Sequence, residues 1–140
     1  MADVQRVADL VDYSTFRDDG QPGVTGRRIT GVRVVLEHCA RAILMPRGRL
    51  PWALDRGFDL RSLENADLTA SQRTAVKSAL DLEIRGVDFV RGVASSLIFD
   101  PTTYRVEYRP FVDVALVGRY PLAVSVDKAA GVLVDFGGVL

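Results

Sequence analysis

Glu83 is the side chain in this sequence with the most chemistry to offer. On a helix that advances roughly 100° per residue it lies about 20° from Val76. Its carboxylate therefore falls on the apolar stripe of Val76, Ala79, Leu80 and Ile84. A carboxylate there must be paired, protonated or left at large cost. One outcome is a general acid with a raised pKa, as in glycoside hydrolysis, which also needs a second carboxylate across an open cleft. Asp55 or Asp59 could serve, but only if their loop folds back. The other outcome is a buried ion pair that pins the loop to the helix or binds a partner. Arg85 or an arginine of the segment Met45 to Asn65 would supply the cation. The second outcome asks for fewer coincidences and is preferred.

The remaining candidates offer less. Asp55, Gly57 and Asp59 alternate as in a calcium loop, but Gly57 occupies a ligand slot and no frame with a glutamate at position twelve follows. The aspartates read instead as acceptors of backbone N–H groups in a turn. His38 is the single histidine, so one chain cannot build a catalytic triad or a zinc site of several histidines. It reads as a boundary residue of a packed helix. Cys39 sits within an apolar stripe and reads as a small buried hydrophobe, because a reactive thiol needs an exposed, electropositive setting. No glycine-rich phosphate loop is present. Arg41, Arg47, Arg49, Arg56 and Arg61 are interleaved with Glu37, Asp55, Asp59 and Glu64, which suits protein–protein ion pairs better than a phosphate track.

These residues need elements to hold them. Val32, Val35, Leu36, Cys39, Ala40, Ile43 and Leu44 recur at helical spacing and predict a helix over 32–45, capped by Thr30 and stopped by Pro46. Arg33, Glu37 and Arg41 lie four apart on its other face and can pair. A second helix is predicted over 71–85, with Thr69 and Gln72 as a capping box and Gly86 as a left-handed stop. After Gly86 the apolar period changes to two. Val87 to Phe99, the run from Tyr104 to Leu116 interrupted by Pro110, Leu122 to Val126, and Val132 to Phe136 read as strands. Pro110 should mark an edge or a bulge. The expected class is α+β: two helices followed by a small antiparallel sheet of three to four strands. Residues 1–31 read as an N-terminal arm or loop that orders against a partner, and 32–140 as a single α+β domain. Between the helices, Leu50 to Leu54 reads as extended and Asp59 to Leu63 as a helical turn.

The chain has 140 residues, with 18 Lys plus Arg against 18 Asp plus Glu, so bulk charge argues for neither nucleic acid nor an anionic membrane. One cysteine excludes an internal disulfide and fits a reducing compartment. The start lacks the pattern of a signal peptide, and no apolar run approaches the roughly 20 residues that span a bilayer. Assembly in the cytoplasm is the expectation.

The segment between the helices, read with its flanks, resembles a known family. Leu44-Met45-Pro46-Arg47-Gly48 is followed by Leu50-Pro51-Trp52, by Asp55-x-Gly57-x-Asp59-Leu60, by Leu63-x-Asn65, and by a helix closing on Glu83-Ile84-Arg85. The ordered set, over roughly residues 30–127, is similar to the small baseplate wedge subunit of contractile phage tails, the sheath-initiator family, some members of which were labelled lysozyme-like. Relatives occur in contractile injection and type VI secretion baseplates. Met45 stands where a threonine or polar residue is usual, Arg56 where an aromatic is common, and Ile84 where the family has proline. The resemblance implies a non-enzymatic structural protein of the virion tail baseplate, assembled in the host cytoplasm, with no cofactor or metal. Pro46, Arg47, Gly48, Trp52, Asp55, Gly57, Asp59, Glu83 and Arg85 would form its protein-interaction core. Other wedge proteins, tail sheath and the tube or hub would be its partners, sheath being joined by strand addition.

Overall fold

A computed structural model describes residues 7–45, 57–63, 68–100, 102–127 and 131–139. The helical periods produce α1, Val32–Leu44, and α2, Ala70–Arg85. The capping box of α2 forms as expected: Thr69 Oγ accepts from the Gln72 amide, and the Gln72 side chain accepts from the Thr69 amide at 2.8 Å. Two helix ends depart from expectation. The N-cap of α1 is Gly31, not Thr30, because Thr30 is held one residue earlier in a strand opposite Val11. Gly86 closes α2 in a right-handed conformation, its amide shared between the carbonyls of Leu82 and Glu83 at 3.2 Å each. The left-handed residue of this corner is Phe89, with φ 71°.

The described strands form two antiparallel sheets, so the class is α+β with more strands than the sequence suggested. β1, Val11–Tyr13, pairs with β2, Arg28–Thr30. The larger sheet holds β3, Val90–Asp100, β4, Arg105–Val114, β5, Gly118–Pro121, β6, Ala123–Asp127, and β7, Gly131–Asp135. Its order is β3-β4-β6-β7, with β5 also on β4. β5 and β6 follow one register along β4, Phe111 opposite Pro121 and Tyr108 opposite Val124. The break between them falls at Leu122, opposite Pro110. The Leu122 amide donates to the Pro110 carbonyl at 2.9 Å, but proline has no N–H to return. Pro110 thus marks neither an edge nor a bulge. It sits in a central strand and removes one rung. The one bulge between β3 and β4 lies at Val90 and Gly92.

One face of this sheet packs on the helices. Val106, Tyr108, Val112, Val124, Val126, Val132 and Val134 join Leu36, Cys39, Ile43, Leu80 and Ile84 in a common core. Val7 and Phe16 belong to the same core, and Ile29 on β2 is also buried. The described part of the N-terminal segment, residues 7–31, is thus ordered against the chain's own helices and sheet. Gly20 shows how closely. Its carbonyl accepts from the Val134 amide on β7 at 2.8 Å, and a Cβ there would stand 2.5 Å from the Val134 carbonyl oxygen.

Candidate functional site

The carboxylate of Glu83 is buried, 7% exposed, on the core side of α2. Its Oε2 accepts the backbone N–H of Gly57 at 3.2 Å, a bond spanning 26 residues. Gly57 is buried with φ 112°, a region that residues with a Cβ rarely enter, so the approach of backbone to carboxylate relies on glycine. Asp59 follows with φ 63°, a left-handed conformation that aspartate tolerates better than most residues. Leu60, fully buried, then plugs into the core and opens a 3-10 turn over Leu60–Leu63. Acceptor, glycine and plug together fix this part of the connector to the last turns of α2. The anticipated helical turn is present there. Arg85 points into solvent, and among the described residues it makes no ion pair with Glu83. Pro46, Arg47, Gly48, Trp52 and Asp55 lie outside the described residues, as does the extended piece expected over Leu50 to Leu54.

The structure adds a second buried carboxylate that sequence reasoning placed on an outer face. Glu37 is fully buried on α1. Its Oε2 accepts from Arg33 Nε at 2.8 Å and from Ser14 Oγ at 2.8 Å, and its Oε1 accepts the Thr15 amide at 3.0 Å. Arg33 also donates to the Val139 carbonyl at 2.8 Å and lies 3.7 Å from the centroid of the Phe136 ring. Phe136 packs edge-on against Phe16. One ion pair thereby ties residues 14–15 and Val139 to α1. No signal within the helix could have found it, because the cover comes from Ser14, Thr15 and Val139, all distant in sequence.

A third group joins α2 to the sheet. Asp81 Oδ1 accepts from Ser95 Oγ at 2.5 Å and from the Tyr108 hydroxyl, and Oδ2 accepts from Lys77 at 3.3 Å. Burial, helped by the Asp81 carboxylate, pushes the Tyr108 phenol well above its usual range. At the rim of α1, exposed His38 bonds Asp12 at 3.0 Å, and Arg41 reaches the same carboxylate at 3.2 Å. Burial alone would raise the Asp12 pKa, but the bonds from His38, the Tyr13 amide and Arg41 outweigh it and hold it below the ordinary 3.8. Cys39 is fully buried, and burial pushes its thiol up to about 12, the setting of an inert hydrophobe.

On the other face of the sheet lies an open hollow of about 1160 Å³. Arg105, Glu107, Arg109, Phe111 and Leu133 line it, and Glu107 accepts from Arg109 at 2.9 Å. Neither Glu83 nor Asp59 borders it. Among the described residues no cluster of three or more His, Cys, Asp or Glu side chains could hold a metal ion. No helix among them is long and apolar enough to cross a membrane. In comparisons with known proteins, no family model matches the chain and no curated protein matches it.

Proposed function

We propose that this chain is a non-enzymatic structural subunit of a contractile-tail baseplate. It joins wedge proteins through the connector and the end of α2, and meets sheath by strand addition to its sheet. The observation that carries the reading is the bond from the Gly57 amide to the buried Glu83 carboxylate. It spends the acidic residue of the resembled motif on holding backbone, which is what a rigid bracket between subunits requires. A general acid would be better served by a carboxyl facing an open cleft. The broad hollow on the opposite face of the sheet does not include it. Glu83 and the exposed Arg85 close the same helix, so the bracket sets the place of a cation offered to a neighbouring subunit.

A peptidoglycan glycosidase using Glu83 with Asp55 or Asp59 is the competing reading. Incubation of the purified protein with peptidoglycan separates the two. The baseplate reading expects no release of glycan fragments. Turnover that vanishes in Glu83→Gln while the fold persists would replace it with the hydrolase.

A further inference from the structure

We propose that the outer edge of β3 is a self-complementary docking strand, and that two copies of this chain join their sheets through it about a two-fold axis at Ser96. The inference concerns the free subunit and does not rest on the baseplate reading. Among the described residues β3 pairs only with β4. The direction of its unpaired groups follows from Pro110. The Pro110 carbonyl bonds Leu122, so the even-numbered residues of β4 face β5 and β6 and the odd-numbered ones face β3. In the observed register, Phe111, Arg109, Glu107 and Arg105 lie opposite Ala94, Ser96, Ile98 and Asp100. The N–H and C=O groups of Val93, Ser95, Leu97 and Phe99 therefore point away from the sheet. Val93, Leu97 and Phe99 are only half-buried, whereas Val106, Tyr108 and Val112 beside them on β4 are fully buried.

Such an edge is usually blunted by a charge, a proline or a covering segment. Between Arg91 and Asp100 β3 has neither charge nor proline. The opposite edge differs, since the Val134 amide on β7 is already bonded to Gly20. Charge selects the occupant. A parallel copy would set Arg91 beside Arg91 and Asp100 beside Asp100, whereas an antiparallel copy brings each arginine next to the other copy's aspartate. The regular part of β3 after the bulge, 92–100, is centred on Ser96. Only an axis there maps the four outward-facing positions onto themselves, Val93 opposite Phe99 and Ser95 opposite Leu97. On the exposed face Ala94 meets Ile98, a small residue against a large one, and Ser96 meets Ser96. This contact is isologous and closes at two copies.

Ser96→Asp tests the proposal without harm to the monomer, because residue 96 is exposed and faces Arg109 of its own sheet. In the dimer two aspartates would stand directly opposite. Sedimentation of the 140-residue chain should give a species of twice 15.3 kDa, with a dimer dissociation constant raised about fivefold or more in Ser96→Asp. Ser96→Cys supplies a second measurement. Residue 96 would face its copy as a non-hydrogen-bonded pair, about 4.5 Å between Cα atoms, a spacing a disulfide accepts. Oxidation should cross-link Ser96→Cys, while Ala94→Cys, whose copy lies several residues away, should remain uncross-linked. A wild-type monomer at high concentration, equal dimerisation of Ser96→Asp, or cross-linking of Ala94→Cys in preference to Ser96→Cys would each overturn it.

Discussion

At the scale of the residue, two buried carboxylates organise the molecule. Glu83 accepts a backbone amide at the connector, and Glu37 neutralises Arg33 while gathering Ser14 and Thr15. Removing one partner of a buried ion pair leaves an uncompensated charge and is costly. Glu37→Ala should therefore lower unfolding stability by about 3–5 kcal/mol. A fall in the denaturant midpoint at unchanged slope would show it. Asp12 makes a weaker prediction in the acid range. Its pKa is lowered in the folded state, so its pairing contributes fully above the unfolded value of 3.8 and is lost as pH falls through the folded value. The stability gap between wild type and Asp12→Asn should therefore be present at neutral pH and close on acidification, as followed by thermal melts across pH. Glu83 was legible in the sequence because its burial follows from local helical periodicity. The burial of Glu37 was not. It depends on Ser14, 23 residues before it, and on Arg33 reaching Val139, 106 residues further on. Periodicity within one helix cannot report a covering segment so distant in sequence.

At the scale of the element, local signals gave both helices, the cap of α2 and the runs that became β3, β4, β6 and β7, but not β1, β2 or β5. β1 and β2 have three residues each, too short for an alternation to register. Pro110 illustrates the limit of a local rule. A missing N–H argues for an edge, yet the sheet tolerates it in β4 at the place where β5 gives way to β6, and the register continues unchanged. Gly20 also depended on distant structure. Gly20→Ala would force a Cβ against the Val134 carbonyl and hold alanine at φ +84°, with no room to yield because the obstacle is backbone. The expected cost is about 1–3 kcal/mol. It should be accompanied by faster amide exchange at Val134, measured by hydrogen–deuterium exchange, as the loop lifts from β7.

At the scale of the whole molecule, the helices, one face of the larger sheet and the described N-terminal segment share a single core, and the two helices carry the three polar groups that lock it. Asp81 fastens α2 to the sheet, Glu37 with Arg33 fastens residues 14–15 and Val139 to α1, and Glu83 fastens the described part of the connector at Gly57. A chain built this way presents fixed surfaces, the property that the proposed scaffold role requires. The fastening of the connector is the central claim. It is tested most directly by complementation of a producing strain that lacks this chain, followed by electron microscopy of the particles. The wild-type chain should restore contractile tails that contain it at the baseplate. Glu83→Ala, although recovered as a folded, soluble subunit, should restore none. Intact tails assembled with Glu83→Ala, or assembled in the absence of the chain, would contradict the account.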